Sequence, residues 1–237
     1  MRRGKLKRGS HVGVVLSFVV FVTFLLFLYT VLEPSLKTQR SKSQELERLG
    51  DNLLETFLGS VRVATITNEV VEDTEGINCL KISKEGLAEN EEKSVVKNLN
   101  GNIIGSKIDG QIKVEWDGSD GGVFKLYLSN ESLEKSPFEP AECANGKILL
   151  VQERKYVFYD RVNETFFRYN ESYEELKSDL GVSSQNEFSF SFVYKNGERI
   201  DTPEKTKGKN IFSKEIPIQY MNKTADVLQG FVYVTIW

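Results

Sequence analysis

Two cysteines, one histidine and 34 carboxylates set the chemical limits of this 237-residue chain. Cys79 and Cys143 are the only thiols. Outside the cytoplasm they can form a disulfide, and closing a loop of about 64 residues stabilises a fold by roughly 4 kcal/mol on the chain-entropy model. The alternative is two separate buried thiols. Two cysteines with no histidine nearby cannot complete a four-coordinate metal site. The single histidine, His11, lies beside the N-terminal basic segment. A Ser-His-Asp or Cys-His nucleophile is therefore excluded from the rest of the chain, as are histidine-based zinc sites. Paired acids could still hydrolyse a glycoside, but no pair stands out from a solvated surface. The segment Glu115–Gly122, EWDGSDGG, places Asp117, Ser119 and Gly121 at the first, third and fifth positions of a calcium loop. The twelfth, where a bidentate glutamate belongs, is Leu128, so the segment reads as a turn. There is no glycine-rich phosphate loop or dinucleotide fingerprint. No enzyme, cofactor or metal is expected.

Four asparagines begin Asn-X-Ser/Thr acceptor patterns for glycan: Asn130, Asn163, Asn170 and Asn222. All four lie on one side of the apolar run that dominates the N-terminus. That run, Val12 to Leu32, is VGVVLSFVVFVTFLLFLYTVL, with no formal charge between Arg8 and Glu33. As a helix it is about 31 Å long, which matches a hydrocarbon core of about 30 Å. Within lipid the backbone must satisfy itself, so the run is helical despite its valines. Arg2, Arg3, Lys5, Lys7 and Arg8 precede it with no acid among them, which orients the N-terminus toward the cytoplasm. A cleaved secretory signal would have a shorter apolar core and a small-x-small site, absent around Leu32, Glu33 and Pro34. The run therefore reads as an uncleaved signal-anchor. Removing those five bases leaves 26 basic against 34 acidic residues, a balance of −8. Such an acidic remainder argues against nucleic acid as a partner.

Beyond the anchor, Pro34 either starts a new helix or kinks a continuous one. Leu46, Leu49, Leu53, Leu54, Phe57 and Leu58 recur at three- and four-residue spacing, which predicts an amphipathic stem helix. Its stripe needs a partner, either the chain's own head or another subunit. After Gly59 the pattern changes to short apolar or alternating runs: VRVATI, INCLKI, QIKVEW, VFKLYL, KILLV, YVFY and TFFRY. Turn-forming clusters separate them, as expected of strands. Residues 85–100 are polar and read as loop or short helix. A further helix is predicted over Tyr173–Leu180, with Ser172 and Glu175 as a capping box and Gly181 as its stop. In EFSFSFVYKNGERI, Phe188, Phe190, Phe192 and Tyr194 alternate with smaller residues and give one aromatic strand face. Asn196-Gly197 predicts a tight hairpin with both residues at positive φ. GFVYVTIW predicts a last strand paired into the sheet.

The N-terminal arrangement resembles archaeal type IV pilin-like proteins and uncharacterised archaeal membrane-anchored surface proteins. The resemblance rests on about the first 60 residues, in particular Lys7-Arg8-Gly9 followed by Ser10-His11-Val12 and the apolar helix. It implies processing between Gly9 and Ser10, an N-terminal helix retained in the membrane, and helices that bundle with like subunits while the heads face outward.

The expected fold class is α+β: a transmembrane helix continuing into an amphipathic stem helix, then a mainly antiparallel β-sheet head. The segments are a cytoplasmic basic stretch over 1–11, the anchor over 12–33, the stem over 34–60 and an extracytoplasmic β-rich domain over 61–237. The expected role is structural or adhesive, with membrane lipid and like subunits or other surface proteins as partners. The anchor's small residues Gly13, Ser17 and Thr23 would permit close helix approach. A membrane-tethered solute- or protein-binding module is the alternative, favoured by a concave aromatic-lined pocket in the head. A carboxylate-based surface hydrolase would need two acids about 5 to 9.5 Å apart in a cleft.

Overall fold

The computed structural model describes residues 11–68, 77–85, 87, 93–116, 122–134, 136–203, 205, 208 and 210–237. The chain runs α1 (His11–Phe57), β1 (Leu58–Asn68), β2 (Ile77–Ser83), β3 (Lys93–Lys97), β4 (Ile103–Ile104), β5 (Ser106–Asp109), β6 (Gln111–Glu115) and β7 (Val123–Ser129). It continues through β8 (Glu142–Phe158), α2 (Tyr159–Glu171), α3 (Tyr173–Asp179), β9 (Phe188–Val193), β10 (Arg199–Asp201), β11 (Phe212–Met221) and β12 (Val227–Ile236). The fold is α+β with a mainly antiparallel sheet ordered β10-β9-β12-β11-β8-β1-β7-β3-β4. A smaller layer, β5-β6-β2, joins it through the first residues of β8. The parallel pairings among the described strands are β11–β8 and β2–β8.

Three apolar clusters follow from this layering. The largest lies where α1, α2 and α3 cover β9, β12 and β11. Phe188, Phe190 and Phe192 all point into it and are at most 1% exposed. The period-two alternation of β9 thus becomes one aromatic wall, with the Phe190 ring 4.6 Å from Phe166 and 5.8 Å from Phe57 between centroids. Facing that wall, Leu46, Leu49, Leu53 and Phe57 of α1 are buried at helical spacing. Each such side chain contributes roughly 1.5–3 kcal/mol by leaving water. Gly50 allows α1 to approach β11 closely, since a Cβ there would lie 2.8 Å from Ile216 Cδ1. Arg48 and Asn52 donate to the carbonyls of Gly181 and Leu180, groups that the end of α3 leaves without helical partners. The stem stripe is therefore covered by the chain's own head.

A second cluster fills the space between β2-β6 and β1-β7-β3, with Leu80, Ile112, Trp116, Phe124 and Leu126 at its centre. β8 ties the two parts together. Its first residues pair with β2 and most of the rest with β1. Cys79 and Cys143 sit opposite each other in that β2–β8 register, 4.5 Å apart between Cα atoms, and are joined by a disulfide. A third, smaller cluster holds Val61, Val95, Leu133, Phe158, Met221 and Ala225.

Gly13–Glu33 behaves differently. These 21 residues have a mean hydropathy of 2.7, and none of the window is buried against the rest of the chain. The helix is long and apolar enough to cross a membrane.

Several sequence expectations need correction. TFFRY is not a strand but part of α2. Val162, Thr165, Phe166 and Tyr169 are its buried residues, and their spacing of three, one and three is helical. Residues 85–100 contain strand β3, with Val95 and Val96 buried beside β7. The stem does not reach residue 60, because α1 ends at Phe57 and Leu58 opens β1 by pairing with Val157. The capping box at Ser172 does not form. Its Oγ donates back to Arg168 O, and its φ of −139° and ψ of 49° carry the chain directly out of α2 into α3. The Asn196-Gly197 hairpin has Gly197 at φ +84° but not Asn196. Gly197 N donates to Tyr194 O and Tyr194 N to Glu198 O, which makes a three-residue loop with the glycine as its left-handed closing residue.

Because the two halves of α1 meet different surroundings, equivalent truncations should differ in cost. Leu53→Ala is expected to destabilise the head by about 2–5 kcal/mol through the cavity it leaves. Leu25→Ala, in the exposed apolar half, is expected to stay within about 0.5 kcal/mol. Denaturant unfolding of the detergent-solubilised chain, followed by fluorescence of the buried Trp116 and Trp237, measures both.

Candidate functional site

The head has two poles, set by the direction of α1. At the first, where the apolar half of α1 leaves the head, Lys42 donates to Asn186 Oδ1, and the Glu45 carboxylate accepts from Ser183 N at 2.7 Å and from Asn186 Nδ2. A polar cleft of 760 Å³ lies here between α1 and residues 183–186, and those contacts occupy its walls. Close by, the buried Lys177 ammonium and the Tyr173 hydroxyl both donate to Glu187, at 3.0 and 2.6 Å. These bonds pin the start of β9 and belong to packing.

The second pole lies about 22 Å further along, since 15 residues of α1 separate Lys42 from Phe57. β9 runs from the first pole to the second, β12 runs back, and β8 and β11 both end at the second. Three tyrosines consequently gather there from distant sequence positions. Tyr159 opens α2 after β8, Tyr194 follows β9 and Tyr220 stands near the end of β11. Their rings touch in series. Tyr159 and Tyr194 are 6.1 Å apart between centroids at 45°, and Tyr194 and Tyr220 are 5.6 Å apart at 80°. With Ile200 and Leu228 they floor a cleft of 350 Å³, and Glu198 and Lys223 stand on its rim. An adjoining hollow of 400 Å³ shares Tyr194, Tyr220, Glu198 and Leu228 and extends to Lys195 and Asn196. Burial, then the neighbouring Tyr159, pushes the Tyr194 phenol above its ordinary range, so it stays neutral at physiological pH.

The turn Asn222–Asp226 forms one wall. Asn222 Oδ1 accepts from Thr224 N at 3.1 Å and Asp226 N at 2.7 Å, and Ala225 takes φ +57° to complete the turn. Lys97, largely buried, reaches from β3 to the Asp226 carboxylate, which also accepts from Thr224 Oγ1 at 2.7 Å. Beyond the turn a second hollow of 340 Å³ is lined by Lys97, Leu99, Tyr127 and Val227.

Asn130 is exposed directly after β7. Asn163 and Asn170 lie on α2, where Asn170 Nδ2 donates to Phe166 O at 3.0 Å. Asn222 spends both ends of its amide within the turn, its Nδ2 donating to Asp226 Oδ2 at 3.2 Å. Gly9 and Ser10 lie outside the described residues, as do 117–121 of the calcium-like segment. Glu115 of that segment accepts from Gly105 N at 2.9 Å. Among the described residues, no three His, Cys, Asp or Glu side chains converge to hold a metal ion. Each of the clefts named here is lined by a single acid, not by a pair.

The sequence signals for this pole were weak. Tyr156 to Tyr159 reads as one strand run, yet Tyr159 belongs to α2. The Asn222-x-x-x-Asp226 turn carries a local side-chain signature, but its ion pair with Lys97 spans 129 residues and no local pattern announces it.

Acid should weaken this turn. Burial works against the charged form of Asp226, but hydrogen bonds from Lys97, Thr224 and Asn222 outweigh it and hold the carboxyl below its usual range. A depressed folded pKa stabilises above the unfolded value of about 3.9 and is lost as pH falls through the folded one. Unfolding free energy is therefore expected to drop below about pH 4, and Asp226→Asn is expected to flatten that part of the profile, as denaturant titrations at stepped pH would record. No family model, curated protein or solved structure matches the chain.

Proposed function

We propose that the protein is a single-pass, membrane-anchored surface protein whose β head works outside the cytoplasm in an adhesive or binding role. The observation that carries this reading is the contrast within α1. Residues 46–57 are packed into the head, whereas the span 13–32 carries no charge and none of it is buried against the rest of the chain. Valines, leucines and phenylalanines exposed all round a helix are stable in lipid and a liability in water. The disulfide agrees with an oxidising compartment, and the basic flank agrees with a cytoplasmic N-terminus. Anchor and stem then form one lever that holds the head at a fixed distance from the bilayer, with the tyrosine cleft on the pole facing away. That aromatic concavity favours the tethered binding module over a purely structural role.

A pilin-like subunit is the second reading. In its favour, Gly13, Ser17 and Thr23 lie on an apolar surface with no partner in the chain, while the stem is already covered by the head. In it the anchors bundle and the heads face out. Val14 stands where many pilins carry glutamate.

Alkaline carbonate washing of native membranes tests the anchor. The full chain is expected to stay in the pellet, and a chain lacking residues 1–40 to appear in the soluble fraction. External protease on intact cells is expected to remove the head and leave a short N-terminal fragment. A carbonate-soluble full chain, or a head shielded from external protease while cytoplasmic controls are equally shielded, would overturn the reading. Crosslinking between cysteines introduced at Ser17 separates the two forms: ladders support the filament subunit, and monomers the tethered module.

A further inference from the structure

We propose that the tyrosine cleft at the second pole is a binding site for a neutral saccharide, one or two pyranose rings in length. The inference rests on the outward-facing head only for its biological setting; the binding chemistry stands on the cleft itself.

Three features of the cleft select that chemistry. First, it offers one open aromatic ring flanked by apolar carbon. Tyr159, the most open of the three tyrosines at 36% exposed, presents its ring beside Tyr194, with Ile200 and Leu228 completing an apolar surface. A pyranose has one face made of C–H groups, and such a face lies well on aromatic and aliphatic carbon. Second, the polar groups stand at the rim and not on the floor. Glu198 can accept hydrogen bonds from two adjacent hydroxyls, which are stronger for reaching a charged acceptor. Lys223 can donate to a third, and the hydroxyl of the exposed Tyr159 can do either. Third, charge of both signs is present: Glu198 and Lys223 line the cleft and Lys195 stands at its extension. A neutral polyol finds both donors and acceptors there.

The ring geometry argues against the obvious competitor, a quaternary ammonium ion. Tyrosines that grip a cation face one another across a gap, with the charge over each ring. Here the rings pack against each other at 5.6 and 6.1 Å, so they form a floor and not a cage. Size agrees with a short glycan. A cleft of 350 Å³ is near the lower limit for small-ligand sites, and its extension past Lys195 and Asn196 leaves room for a second ring. The position agrees too. The cleft lies at the strand ends opposite the pole where the apolar half of α1 departs, so a bound sugar lies on the far side of the head from that half.

The test is saturation-transfer NMR on the full-length protein in detergent, with methyl glucoside, methyl mannoside, methyl galactoside, N-acetylglucosamine and the β-linked glucose disaccharide as probes. At least one probe is expected to receive saturation, strongest on the C–H protons of one ring face. Tyr159→Ala is expected to abolish the signal, Tyr159→Phe to retain it, and Glu198→Gln to weaken binding by about tenfold. Tyr159 opens α2 at the surface and Glu198 is exposed, and the unchanged near-ultraviolet dichroism of each variant checks the fold. Silence from every probe, or saturation that survives Tyr159→Ala, would overturn the assignment. So would transfer to tetramethylammonium at this cleft in place of the sugars. Because detergent-purified protein is used, these results do not depend on membrane orientation, so a failed saccharide site and a failed anchor remain distinguishable.

Discussion

The packing of one stripe of α1 against the aromatic wall of β9 is the contact on which the rest depends. Leu46, Leu49, Leu53 and Phe57 cover Phe188, Phe190 and Phe192, and in doing so they fix where the helix sits and which way it points. The direction of α1 decides which end of the sheet faces the apolar segment. It also sets the start of β1, because Leu58 follows Phe57 directly and must pair with Val157. With β1 in place, β8 is held on one side and β7 on the other, and the disulfide then clamps the second layer to the first residues of β8. Loss of that stripe would free the helix and remove one side of the largest apolar cluster.

The same helix solves two solvation problems in sequence. Over residues 13–32 apolar side chains face every direction and no charge occurs, so the surroundings that suit it are apolar on all sides. From Glu45 onward the helix is amphipathic, with charged residues turned outward and one face in the core. The change takes place over Glu33–Gln44, where Glu33 and Lys37 pair one turn apart at the helix surface. This puts a short polar interval between the apolar half of α1 and the head, which under the proposed membrane setting would clear the headgroup region of about 5–8 Å on that side of the hydrocarbon.

Legibility in the sequence followed the range of the interactions. The apolar run, the stem stripe, the alternating phenylalanines and most of the strands are periodic, and periodicity is local information. The errors arose where two local signals competed. In TFFRY, aromatic and β-branched residues favour strand, but Val162, Phe166 and Tyr169 share one helical face and the core required that face. Residues 85–100 read as too polar for a strand, yet β3 is buried on both faces: Val96 enters the second apolar cluster, Val95 on the opposite face enters the third, and Ser94 and Lys97 are buried beside them. The tyrosine cleft was the least legible feature. Tyr159, Tyr194 and Tyr220 come from three separate strand ends, and only the sheet order brings them together. A sequence shows what each tyrosine is but not which others it will meet.

The central claim is that α1 lies in lipid over one half and in protein over the other. The most direct measurement places single nitroxide labels at Val19, Leu26, Asp51 and Glu55 of the protein reconstituted in bilayers and compares collisions with oxygen and with a water-soluble nickel chelate. The native cysteines are joined to each other, so an introduced cysteine is the only free thiol. Labels at Val19 and Leu26 are expected to favour oxygen strongly and to exclude the chelate, while those at Asp51 and Glu55 are expected to meet the chelate freely. Equal access of the chelate to all four positions, or exclusion of both reagents at Val19 and Leu26 without a second chain present, would contradict the account.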